Sequence, residues 1–119
     1  MSLYKKYYII AGYDLSAYQT DKYEDWKWTD EGEQYICHQS KGNIQLFYDH
    51  CNGNNFYLGY ILACGDQYEF KTTVIDLKDV QMYRADVEDV LFKLYKIGIV
   101  DNYYDCVEQY KVFAFEEVT

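Results

Sequence analysis

The sequence predicts an α+β domain, and three observations carry that expectation. Strand-like runs recur through the first two thirds of the chain, separated by Gly with Asn, Asp or Ser. Near residue 86 the apolar spacing changes from period two to a helical stripe. The chain then closes on one more β-rich run. At 119 residues the length fits a single domain spanning 1–119. A chain of that size buries roughly two thirds of its unfolded surface, enough for a core without metals or disulfides.

The elements follow in order. "KYYIIAGYDL" (6–15) opens apolar on both faces, so a central strand is expected over 5–11. "SAYQTDKYEDWKWTDEGEQ" (16–34) shows neither strand alternation nor a helical stripe, and reads as a long ordered loop with at most one turn of helix. "QYICHQ" (34–39), "NIQLFYD" (43–49), "NFYLGYILA" (55–63) and "YEFKTTVID" (68–76) read as an antiparallel meander over 34–76. Their connectors "SKG", "HCNGN" and "CGDQ" hold residues that accept turn geometry. Ile44 and Leu46 should point one way, with Gln45 and Phe47 the other. Phe56, Leu58, Tyr60 and Leu62 should share a face, and Gly59 marks a bulge or a close approach.

Val87, Val90, Leu91 and Leu94 fall at i, i+3, i+4 and i+7, which predicts an amphipathic helix over about 86–97. Asp86 suits its N-cap, Glu88 and Asp89 its first turn, Lys93 and Lys96 its last, and Gly98 its stop. "NYYDCVEQ" (102–109) suits a short helical turn, and a terminal strand is expected over 109–116. The sum is a mostly antiparallel sheet of five or six strands packed on one helix, its terminal strands paired with each other.

Composition narrows the function. Twenty acids against eleven bases give a formal charge of −9. No basic stripe exists to follow a phosphate backbone, so direct nucleic-acid binding is not expected. The charge favours a protein partner with a basic surface. No apolar run approaches the ~20 residues of a membrane span. "MSLYKKYYIIAGY" offers only "IIA" after its lysines, too short for a signal-peptide core. The expectation is therefore a cytoplasmic protein with reduced thiols. Sixteen Tyr, no Pro, and one Arg against ten Lys match the coding bias of an AT-rich genome. By association, that bias suggests an accessory protein of a phage or other mobile element, working in the host cytoplasm.

"ICHQSKGNIQLFYDHC" (36–51) places Cys37-His38 and His50-Cys51 near one another in sequence. Zinc takes about four N or S ligands. Adjacent strand residues point to opposite faces, so Cys37 and His38 do not serve one ion. In a hairpin turning at "SKG", His50 and Cys51 lie on the order of 15 Å from Cys37. Cys64 falls elsewhere again. The stretch reads as a hairpin, with no metal or other cofactor expected. The same spacing argues against a Cys-His nucleophile, and no phosphate loop, dinucleotide loop, zinc-helix or nucleophile-elbow motif occurs. No catalytic residue is assigned.

The aromatic and acidic segment 16–35 is the strongest candidate for recognition. Tyr23, Trp26, Trp28, Asp25, Asp30 and Glu31 are the expected partner-binding residues. Aromatic side chains give large contact area at low entropic cost, and acids around them steer a basic partner. The competing structural role is that Trp26 and Trp28 cover a sheet face. Two alternative functions follow from the same composition. One is a small-molecule-binding or catalytic domain with a pocket between sheet and helix, lined by Tyr with Cys64 or His38. The other is an acidic mimic of nucleic acid that blocks a host nucleic-acid enzyme. Assembly through edge strands is a further expectation, testable by oligomeric state.

Overall fold

In the computed structural model, residues 5–35, 43–49, 55–66, 68 and 74–118 are described. Along the chain lie β1 (Lys5–Asp14), α1 (Tyr23–Trp26), α2 (Asp30–Glu33), β2 (Ile44–Asp49), β3 (Asn55–Asp66), α3 (Leu77–Met82), α4 (Arg84–Lys96), α5 (Tyr103–Cys106) and β4 (Lys111–Val118). A single 3-10 turn over Val107–Gln109 joins α5 to β4. The fold is α+β, with one antiparallel sheet in the order β2-β3-β1-β4.

β1 sits inside the sheet, as its two apolar faces require. It pairs with β3 on one side and β4 on the other, so the first and last strands are neighbours. β2 and β3 form the expected hairpin.

Four strands stand among the described residues, and the expected count of five or six is not confirmed. Gln34 and Tyr35 form a turn rather than the start of a strand, and residues 74–76 lead into α3 without regular structure. The rest of the expected strands 34–39 and 68–76 lies outside the described residues, apart from Tyr68, which is in a turn. The presumed connector at Cys64, Gly65 and Asp66 instead continues β3, paired with Tyr8, Tyr7 and Lys6. One long strand against β1 satisfies more backbone donors and acceptors than a turn there would.

Alternation sorts the two faces. Tyr13, Leu46, Phe56 and Leu58 join Val87, Val90, Leu91 and Leu94 of α4 in the main core, with Leu15, Tyr23, Ile99, Val100 and Cys106. Tyr8, Ile10 and Phe47 form a second cluster on the other face, edged by Tyr57, Ile61, Phe113 and Phe115. The register shifts between Ile9 and Ile10, which leaves Leu62 as the extra residue of a bulge. The expected face Phe56, Leu58, Tyr60 and Leu62 therefore stops at Tyr60. Gly59 stands opposite Gly12, the close approach its position suggested.

α4 carries the anticipated stripe, buried at Val87, Val90, Leu91 and Leu94. It starts two residues earlier than expected. Tyr83 holds the N-cap position and Asp86 is in the first turn, where its charge still favours the positive end of the dipole. The earlier start follows from α3, which the sequence pattern did not reveal: Asp76 caps it by accepting from the Lys78 amide at 2.9 Å. Tyr83 joins α3 to α4 and stacks on Tyr60 of β3, centroids 3.8 Å apart and planes 7° apart. Gly98, at φ 84°, ends α4.

Candidate functional site

The segment between β1 and β2 is tied to the fold at both ends and through its middle. At its start, Leu15 N–H donates to the Phe56 carbonyl at 2.7 Å, and Phe56 N–H donates to Ser16 Oγ at 3.0 Å. Residues 18–20 lie along 99–101: Thr20 N–H donates to the Ile99 carbonyl and Asp101 N–H to the Tyr18 carbonyl. The Thr20 hydroxyl also donates to the Gly98 carbonyl. At its end, Leu46 N–H donates to the Tyr35 carbonyl at 2.6 Å.

Where a long loop was expected, the middle holds two single-turn helices, α1 and α2. Thr29 sets the second, accepting from the Gly32 amide at 3.0 Å while its hydroxyl donates to the Trp26 carbonyl at 2.7 Å. A Cβ at Gly32 would lie 2.2 Å from that same carbonyl, so glycine lets the two turns abut.

The six residues singled out in the sequence divide by burial. Tyr23 is buried, its ring 4.9 Å from Phe56 and 5.0 Å from Tyr48. Trp26 is half-buried against the core and stacked on Tyr35 at 6.2 Å. Its Nε1 is buried with no hydrogen-bond partner among the described residues. Trp28 is 75% exposed, and Asp25, Asp30 and Glu31 are exposed around the same two turns. One tryptophan anchors the segment and the other faces outward.

Lys27 and Glu24 complete the arrangement and were not singled out by the sequence reading. The Lys27 ammonium pairs with Glu24 at 2.7 Å and lies 5.3 Å from the Trp28 ring centroid. The i, i+3 spacing of a helical turn was the available signal, hidden while the segment read as loop. Over residues 21–35 six carboxylates face two lysines, and one of those lysines is held by Glu24. The surface is acidic around an exposed indole.

Cys64 is exposed on β3, and Cys106, the last residue of α5, is buried. Burial, then the Asp14 charge, pushes the Cys106 thiol up to about 11, so it is an inert core thiol. Cys37, His38, His50 and Cys51 lie outside the described residues. Among the described residues, no group of three His, Cys, Asp or Glu side chains is placed to hold a metal ion. No described helix is long and apolar enough to cross a membrane.

Two core tyrosines shape the response to pH. Burial, then Glu24, pushes Tyr23 up to about 12; burial, then Glu88, pushes Tyr13 to about 12. Tyr13 Oη is also buried without a hydrogen-bond partner among the described residues. Raised folded values mean that the native state holds these protons longer than the unfolded chain does. Stability is then unaffected below the ordinary tyrosine value near 10 and falls as pH rises from there to about 12. Each tyrosine removes about 3 kcal/mol across that window, and Cys106 begins its own loss near pH 9. Denaturant midpoints measured from pH 8 to 11.5 should show this decline. Tyr13→Phe should flatten its upper part; a midpoint constant to pH 11.5 would contradict the burial of both hydroxyls.

No protein-family model, curated protein or solved structure matches the chain.

Proposed function

We propose that the chain is an acidic protein-interaction module whose α1–α2 surface grips a protein with a basic face. The exposure of Trp28 carries this reading. The segment spends Tyr23, Trp26 and Tyr35 on anchoring itself, yet leaves its second tryptophan in water. An aromatic carried on an anchored backbone loses less entropy when a partner covers it than one on a loose loop, and tryptophan is enriched among binding hot spots. Asp25, Asp30, Glu31 and Glu33 would steer a basic partner toward it and make the association salt-sensitive. This role suits the cytoplasm, where the exposed thiol of Cys64 stays reduced.

The test is affinity capture of the tagged protein from bacterial lysate at low and high salt, with bound proteins identified by mass spectrometry. Affinity for the captured partner is then measured with variants. Trp28→Ala is expected to weaken binding by about 2 kcal/mol, roughly 30-fold. Its unfolding free energy should change by less than about 0.5 kcal/mol, because the side chain is at the surface. Asp30→Asn with Glu31→Gln should chiefly slow association and reduce its salt dependence. A Trp28→Ala protein that binds as tightly as the parent would remove this surface from the function.

A further inference from the structure

The sheet has one edge with the character of an interface. β4 is its last strand, and among the described residues nothing pairs with its outer side. Eight residues of edge strand are a long template for another strand. Val112 is 42% exposed, and Ala114 and Glu116 are exposed beside it.

The order of residues in β4, KVFAFEEV, matches itself when reversed on the face that carries Phe113 and Phe115, while on the other face Val112 falls opposite Glu116. Antiparallel pairing about a two-fold axis at Ala114 sets Ala114 opposite Ala114, Phe113 opposite Phe115, and Lys111 opposite Glu117, each of the last two pairings occurring twice. Directly opposed residues share a face. The β1 register puts Phe113 and Phe115 opposite Ile10 and Tyr8, on the face away from α4. That face already runs as an aromatic band, with Phe47–Phe115 at 4.9 Å, Tyr57–Phe115 at 4.7 Å and Tyr57–Phe113 at 5.0 Å. Two-fold pairing would continue the band from one copy into the next. Shifting the register by two residues either way leaves a single Phe–Phe pairing in place of two and puts Lys111 opposite Phe115 or Glu117 opposite Phe113. The opposite edge, β2, holds an acid and no base, so it has no comparable match to itself.

We propose that a second copy of this chain docks on β4, antiparallel and two-fold about Ala114, merging two sheets into one. Backbone hydrogen bonds and the joined aromatic band would supply the affinity, and the two Phe113–Phe115 pairings the register. The α1–α2 surfaces would remain free at the two outer ends, because that segment packs toward β2, through Tyr48 and Leu46.

Sedimentation equilibrium over micromolar to millimolar concentration tests the proposal. The parent is expected to dimerise, and Ala114→Lys to weaken the dimer at least roughly tenfold, since it sets two like charges against each other on the axis. Thermal unfolding of the dilute monomer should not change, because Ala114 is exposed. Ala114→Cys adds a positional readout. Under mild oxidation it should form an intermolecular disulfide more readily than Val112→Cys or Glu116→Cys, whose positions do not face themselves across the axis. A parent that stays monomeric throughout overturns the proposal, and leaves the edge to a strand from a different protein. A dimer that survives Ala114→Lys, or that crosslinks no better through Ala114→Cys than through the other two, overturns it as well.

Discussion

Phe56→Ala is expected to remove about 4 kcal/mol of stability, as truncation of a fully buried aromatic does. Phe56 has no exposed surface and lies at the junction of sheet, helices and recognition segment. Its ring meets Tyr23 at 4.9 Å and Tyr48 at 5.7 Å, both edge-on. Its backbone meets Leu15 and Ser16 where the chain leaves β1. A domain of this size has only about 5–15 kcal/mol in total, so the variant should approach the unfolding threshold at body temperature. Urea denaturation measures the loss. The same variant should loosen α1, because Tyr23 loses the ring it leans on. With Trp28→Phe as background, Trp26 emission should shift to the red, reporting water at the half-buried indole. Phe56→Leu keeps most of the volume and should cost less than about 1.5 kcal/mol. A loss under about 1 kcal/mol for Phe56→Ala would mean that the site collapses around the gap and that the segment does not depend on it.

The second large effect is expected at Gly12. A Cβ there would lie 2.0 Å from the Leu58 carbonyl oxygen and 2.6 Å from the Gly59 Cα. Both are backbone atoms, so no rotamer change relieves the clash, and β1 and β3 must move apart. β1 holds the middle of the sheet against two partners, so separating it on one side disturbs the whole. Gly12→Ala should therefore cost about 3 kcal/mol, the upper end of ordinary overpacking. Gly65→Ala, in the same sheet, is the control: nothing lies within 4 Å of its Cβ position, and a change within about 0.5 kcal/mol is expected. Equal midpoints for the two variants in urea would show that the β1–β3 approach at Gly12 is loose.

The contrast between those glycines shows where sequence reasoning reaches its limit. A glycine inside a strand-like run signals something, and Gly59 was legible as a bulge or close approach. Its partner was not, since Gly12 lies 47 positions earlier and only the β1–β3 register brings the two together. Gly12 looked instead like the end of a strand, and β1 runs two residues past it. Leu62 is a similar case: alternation assigns it a face, and a bulge set by the pairing with Ile9 and Ile10 removes it.

The recognition segment divides the same way. Its acidity and its aromatics were visible in the sequence, as was the choice between packing and presentation for its tryptophans. Trp26 and Trp28 differ by two positions and have almost the same neighbours in sequence. The turns of α1 and α2 send one against Tyr35 and leave the other outside, and local propensity is too weak in four-residue helices to announce this. Thr29 as a cap was a readable sign, but caps are informative only once a helix is suspected.

By itself the sequence determined the α+β class, the β2–β3 hairpin, the buried stripe of α4 and the acidic character of the surface. Each of these follows from spacing or composition within a short window, where periodicity alone decides which side chains can share a face. Only the tertiary structure decided that four described strands stand in the order β2-β3-β1-β4, that β4 is the last of them, that Gly12 meets Gly59, and that Trp28 rather than Trp26 faces outward. Those outcomes depend on contacts between residues distant in sequence, where burial and backbone pairing outweigh local preference.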